Sequence, residues 1–237
     1  VLGIAVLAGC TATVGGSAVR QTGGVTPRDL ASALPGSAEV SKIVGNPLDN
    51  NGSKLQQGGI DVLPNGIRDN DTARPIDCLG PVSPFMRIVY EKGDVVGAAW
   101  QQFANYGGGQ AVSSADTGVV QFRSEAEAQR MFTDFVNRWK SCDGTTVTTF
   151  LRDANGTELY EKITGVRVDG TLLTATVVNS DNQGDAAFPT ERAVELAGDC
   201  LVDVDVAVTA GGPAQQTPRR RAADIAGLTA RNILRAR

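Results

Sequence analysis

The stretch Ser124-Glu125-Ala126-Glu127-Ala128-Gln129-Arg130-Met131-Phe132-Thr133-Asp134-Phe135-Val136-Asn137-Arg138-Trp139 decides the fold class. Ser124 followed three residues later by Glu127 has the spacing of a capping box. In that motif the hydroxyl and the carboxylate reciprocally satisfy backbone donors left open at a helix start. Ala128, Met131, Phe132, Phe135, Val136 and Trp139 then recur at three- and four-residue steps and make one apolar face. A helix with one apolar face needs a layer to pack on, and the flanking sequence supplies strands.

Downstream, residues 145–151, 164–179 (bent at Asp169-Gly170), 188–196 and 200–208 read as strands, and Gly198-Asp199 supplies a tight turn that suits an antiparallel hairpin. Upstream, residues 95–103 and 117–122 read as strands separated by the turn at Gly107-Gly108-Gly109. Thr26-Pro27 reads as an N-cap and first helical position. Leu30, Leu34, Val40 and Ile43 supply the apolar contacts of two short helices broken at Pro35-Gly36. Residues 46–77 are thick with Gly, Asn and Asp and read mainly as loop, and residues 84–90 as a short helical turn or strand entry. Pro218 opens a terminal helix with Ile225, Leu228 and Ile233 facing inward. Strands in succession, with helices at both ends and one inserted, predict an α+β domain and not the βαβ alternation of parallel folds.

The chain has 237 residues, 41% of them apolar, enough for one substantial core and one domain. Its 22 basic and 26 acidic residues leave a net charge of -4, which argues against a surface built on nucleic-acid phosphates. Residues 1–9 (VLGIAVLAG) read as the apolar region of an export signal that begins upstream, too short to span a bilayer. Leu7-Ala8-Gly9-Cys10 fits a lipobox, in which small residues admit the signal peptidase and the Cys thiol accepts a diacylglycerol. The expected organisation is a signal remnant over residues 1–9, a lipidated tether over 10–25 and the folded domain over 26–237. The tether is rich in Gly and small residues, and about 15 residues of flexible coil span roughly 20 Å. These features predict a lipoprotein anchored through Cys10 on the extracytoplasmic face of the cell membrane.

Catalytic inventories are thin. The chain has no His, which removes Ser-His-Asp and Cys-His arrangements, the imidazole base and most zinc sites, and no C-x-x-C spacing exists. No S-x-x-K, G-x-S-x-G or phosphate-binding Gly-rich loop occurs, and no cofactor is called for. A paired-carboxylate hydrolase has no local signature and stays as the alternative enzyme class. Asp69-Asn70-Asp71-Thr72 begins like a calcium loop but lacks the Gly and Glu positions of an EF-hand, and reads as a solvated loop. Asn51-Gly52-Ser53 and Asn155-Gly156-Thr157 read as turns, and Arg219-Arg220-Arg221 as a solvated helix start. Trp100 and Tyr106 are candidates for a cleft wall, with core packing the better reading. Besides Cys10 there are Cys78, Cys142 and Cys200, one pair and one left over, and spacing alone leaves all three pairings open.

Leu34-Pro35-Gly36-Ser37-Ala38-Glu39-Val40-Ser41-Lys42-Ile43-Val44-Gly45 opens a set of stretches that carry a family resemblance. The others are Cys78-Leu79-Gly80 with Tyr90 downstream, Val119-Val120-Gln121-Phe122-Arg123-Ser124 running into the helix that ends Trp139-Lys140-Ser141-Cys142, and Val202-Asp203-Val204-Asp205-Val206. Over roughly residues 30–234 the chain resembles the extracellular sensor domains of the mycobacterial receptor Ser/Thr kinase H and the lipoproteins that share them. The resemblance implies a twisted antiparallel sheet flanked by helices in a single domain, with a solvent-open cleft. It also implies a disulfide joining Cys78 to Cys142. The second disulfide common in that family has no cysteines near Thr190-Glu191-Arg192-Ala193 or Val208-Thr209 to form it. The function it implies is a non-catalytic sensor or ligand-binding domain whose partner is a small molecule, a glycan or a protein. The alternative is a structural or interaction lipoprotein without a small ligand.

Overall fold

The computed structural model describes residues 27–50, 52–211 and 220–236. In chain order these form α1 (Pro27–Ala33), α2 (Ser37–Val44), β1 (Gln56–Gly58), β2 (Ala73–Arg74), α3 (Leu79–Val82), α4 (Arg87–Tyr90), β3 (Val95–Ala104) and β4 (Val112–Phe122). Then follow α5 (Glu125–Cys142), β5 (Thr146–Phe150), β6 (Glu158–Asp169), β7 (Leu172–Asp181), β8 (Phe188–Ala197), β9 (Cys200–Val208) and α6 (Arg221–Arg235). All nine strands join one antiparallel sheet in the order β1-β3-β4-β9-β8-β7-β6-β5-β2. The last strand sits in the middle, with β9 paired to β4 on one side and to β8 on the other.

Over β3, β4, β9 and β8 both faces of the sheet are covered, because these strands carry apolar residues in both phases of their two-residue repeat, whereas β5 to β7 are buried on the α5 face alone. On one face Val120, Phe122, Leu201, Val194, Leu173, Ile163 and Val147 pack under Met131, Phe132, Phe135 and Trp139 of α5, together with α3 and α4. On the other, Ala99, Val119, Val202, Val204 and Ala193 meet Leu30 and Val40 of α1 and α2 and Ile225, Ala226 and Ile233 of α6. The helices read from the N-terminal sequence fall on α1 and α2, while Thr26 and Pro218 lie outside the described residues.

The structure corrects the sequence reading in several places. The 46–77 segment is not only loop, for it contributes β1 and β2, which pair with β3 and β5 and finish the two edges of the sheet. The single bent strand read over 164–179 is a hairpin, in which β6 begins at Glu158 and the chain reverses at Gly170, whose φ of 59° suits glycine. The capping box at Ser124 is half formed. Ser124 Oγ accepts from the Glu127 N–H at 3.2 Å, but the Glu127 carboxylate accepts instead from the Asp94 N–H at 3.1 Å and from Arg130. That exchange ties the start of α5 to the turn leading into β3. A reciprocal bond of the box type occurs at α2, where the Gly36 N–H donates to Glu39 Oε2 at 3.1 Å.

Candidate functional site

Strand β9 shows how the site is built. Val202, Val204 and Val206 point into the core beneath α6, so the alternate residues Leu201, Asp203 and Asp205 point to the α5 side. Leu201 reaches the apolar core there, while the two aspartates lie further along the strand. The register sets Asp205 opposite Asp116 of β4 and opposite Arg192 of β8. In the same phase, Glu161 on β6 alternates with the core residue Ile163, and Thr149 on β5 with Val147. One face of the sheet is therefore apolar at one end and carries four carboxyl groups and a guanidinium at the other.

Arg192 is 1% exposed, and all of its nitrogens are engaged. Nε donates to the Pro81 carbonyl at 3.0 Å, Nη2 to the Gly80 carbonyl at 3.2 Å and Nη1 to the Val204 carbonyl at 2.8 Å. Nη2 also lies 2.9 Å from Asp203 Oδ1, and the guanidinium sits 5.5 Å from the ring centre of Trp139. Asp203 Oδ2 accepts from the Tyr90 hydroxyl at 2.8 Å and from the Phe85 N–H at 3.1 Å. Glu161 Oε2 accepts from Thr149 Oγ1 at 2.7 Å. Asp116 Oδ2 accepts from Gln102 Nε2 at 3.4 Å, and its carboxyl group interacts with that of Asp205 across the strand pair.

Burial sets the protonation of this face. It pushes Glu161 up to about 7 against the opposing hydrogen bond from Thr149. It pushes Asp205 up to about 6, with the Arg192 charge pulling the other way. Asp116 is raised well above the usual carboxylate range, first by burial and then by the neighbouring Asp205 charge. Near neutral pH the face thus presents protonated carboxyls beside ionised ones, groups that both donate and accept hydrogen bonds. Among the described residues no cluster of three His, Cys, Asp or Glu side chains is placed to hold a metal ion.

Of the residues singled out from sequence, Cys10 lies outside the described residues. Cys78 and Cys142 form a disulfide with an S–S distance of 2.05 Å, joining the turn before α3 to the last residue of α5, and Cys200 is buried outside it. Trp100 stacks on Phe85 at 5.8 Å and donates to the Val62 carbonyl at 3.0 Å, so it serves as packing beside the polar face. Tyr106 is 70% exposed at the β3–β4 turn. The Asp69 carboxylate accepts from the Asp71 N–H and the Thr72 hydroxyl, which closes the loop on itself. Arg221 corrects the reading of a solvated arginine run. It is 2% exposed and pairs with Glu191, whose other oxygen accepts the Ala222 N–H at the start of α6.

The polar face was not found from sequence. Its one signal was the in-phase charge of Arg192, Asp203 and Asp205 within strands whose other phase is valine and alanine.

The model of the PknH-like extracellular domain matches residues 25–232, most of the chain and every strand just described. The chain belongs to that family. The crystal structure of the extracellular domain of PknH from Mycobacterium tuberculosis superposes with a TM-score of 0.69 at 19% identity, covering 90% of this chain and 98% of that one. The two share a fold, a large antiparallel sheet with flanking helices in a single domain. An uncharacterized protein from Mycobacterium smegmatis aligns over 88% of this chain and 97% of its own at 12% identity and a TM-score of 0.39. No curated protein matches the sequence. Among the described residues of this PknH-like domain, no helix is long and apolar enough to cross a membrane.

Proposed function

We propose that this PknH-like domain is a non-catalytic sensor module. It binds a ligand on the extracytoplasmic side of the cell membrane and is held there by a lipid on Cys10. The observation that carries the reading is the polar sheet face, where the half-buried carboxyls of Asp116 and Asp205 and the buried one of Glu161 stand with raised proton affinity beside the Arg192–Asp203 pair. Partly desolvated groups able to act as donor or acceptor suit a small hydroxyl-bearing molecule.

The same geometry speaks against hydrolysis. A glycosidase needs its two carboxyls about 5–10 Å apart to admit the sugar and water, whereas Asp116 and Asp205 stand directly opposite each other in the β4–β9 register, where the Asp205 charge raises the proton affinity of Asp116. Asp203 is neutralised by Arg192 and held by Tyr90 and Phe85. The lipobox at Leu7-Ala8-Gly9-Cys10 and the Gly-rich tether support placement at a membrane surface.

Native mass spectrometry of the protein extracted from its own envelope tests the reading. A small molecule should co-purify, be recovered chemically unchanged and raise the melting temperature on re-addition. Absence of any adduct or thermal shift would instead favour an interaction protein without a small ligand. A product accumulating beyond one equivalent per chain would make it a hydrolase.

A further inference from the structure

The Cys78–Cys142 disulfide fastens α3 to the end of α5, and beside it α3, α4 and α5 enclose a groove of about 480 Å³. Ile76, Ile88, Val89 and Phe135 form its apolar sides, Asn137 and Ser141 add polar groups to the lining, and Gly80 and Trp139 are buried at the inner end. The indole N–H of Trp139 has no hydrogen-bond partner in the structure, although the side chain is 0% exposed. A Cβ placed on Gly80 would stand 3.6 Å from Trp139 Nε1 and 3.5 Å from Val89 Cγ1. The donor therefore faces the gap left by the side chain that Gly80 lacks. A buried donor without an acceptor is costly to keep, and a ligand atom that accepts from it recovers that cost.

The rim adds a charge requirement. Arg138 is paired with Asp77 at 2.9 Å, and Asp134 with Arg130 at 2.8 Å. That leaves Lys92 as the rim cation without an ion-pair partner among the described residues. We propose that this groove is a second ligand site, which adjoins the polar sheet face where Arg192 contacts Gly80 and Trp139. It takes a small amphiphilic acid: an apolar body, a carbonyl or ether oxygen at the inner end to accept from Trp139, and an anionic head at Lys92. The disulfide holds the walls of the groove in place before the ligand arrives.

Monomethyl suberate carries an ester carbonyl, six methylenes and a carboxylate, and is the probe. Octanoate lacks the inner acceptor and dimethyl suberate lacks the anion. The chain with Cys10→Ala keeps every described residue, and its two indole N–H resonances in a ¹⁵N-correlated spectrum separate Trp139 from Trp100, which is already bonded to Val62. Monomethyl suberate should shift the Trp139 resonance and leave that of Trp100 in place, and each control should bind about tenfold or more weakly. Gly80→Ala fits the gap at ordinary contact distance and should abolish the shift without changing the Trp100 resonance. Lys92→Gln should weaken monomethyl suberate and leave dimethyl suberate unchanged. A Trp139 resonance that stays still at millimolar probe, or one that moves equally in the Gly80→Ala chain, overturns the site. An envelope-derived adduct that persists in the Gly80→Ala chain lies outside the groove, which keeps failure of this site distinguishable from failure of the polar-face reading.

Discussion

The Arg192 guanidinium and the Asp203 carboxylate meet at 2.9 Å with both side chains buried, and between them they tie the sheet to the helices on one of its faces. Arg192 fastens β8 to the carbonyls of Gly80 and Pro81 in α3. Asp203 fastens β9 to Tyr90 of α4 and to the backbone of Phe85, which sits at a φ of 58° that a bulky residue seldom adopts. The pair thus anchors the helices to the sheet from within the apolar core, beside Phe85, Tyr90 and Trp139.

Asp203→Asn should therefore be severe. It leaves Arg192 buried without its closest counter-charge, and breaking one side of a buried pair costs about 3–5 kcal/mol. The double variant Arg192→Met with Asp203→Asn should recover part of that loss, because no charge is then stranded. Denaturant unfolding of the single and double variants checks both, and a double variant less stable than the sum of the two single losses would contradict the pairing.

Replacing both Cys78 and Cys142 with Ala should lower stability by about 4 kcal/mol. Their separation of 64 residues sets the loop entropy returned to the unfolded chain. Alkylation and peptide mapping of the unreduced protein should return Cys78 linked to Cys142, with Cys200 in neither partner peptide. A Cys200 cross-link in that map would refute the connectivity.

Cys10→Ala, made in a chain with a complete export signal ahead of it, should move the protein from the detergent phase to the aqueous phase in a Triton X-114 partition. The motive is Leu7-Ala8-Gly9-Cys10, whose thiol is the only acceptor the lipobox offers. Equal partitioning of the variant and the parent would remove the anchor.

Helix α5 and strand β9 were legible because their residues repeat at the period of the element over a long enough run. Met131, Phe135 and Trp139 mark one helical face, and Val202, Val204 and Val206 one strand face. Strands β1 and β2 span three and two residues, too few for any period to show, and only their partners β3 and β5 make them strands. The first half of β6 was lost because Glu158, Glu161 and Lys162 break the apolar alternation. Glu161 is one of the site residues, so the feature that hid the strand also builds the polar face. Arg221 shows the same limit from the other side. A charge run reads as solvated until Glu191, thirty positions earlier in sequence, is placed beside it by the fold.

Glu161 makes the pH dependence of stability testable. Burial holds its carboxyl at about 7 in the folded chain against an ordinary value of 4.5, so between those pH values the folded state keeps a proton that the unfolded state releases. The stability tied to that proton is full below about pH 4.5 and is lost as pH rises through 7, and one pKa unit is worth about 1.4 kcal/mol. The limit for this one group is therefore about 3 kcal/mol. Asp205, held at about 6, adds a smaller fall in the same direction. Carboxylates held low by surface partners, such as Asp94 beside Arg123, act oppositely but equally in any two variants compared. Glu161→Gln keeps an oxygen for the Thr149 hydroxyl to donate to and removes the titration. Guanidinium unfolding at pH 5 and at pH 8 should find parent and variant similar at the lower pH and the variant more stable by about 1–3 kcal/mol at the higher. Two parallel stability curves, with no divergence above pH 5, would mean that Glu161 titrates like an exposed glutamate and that the polar face is open to water at that point.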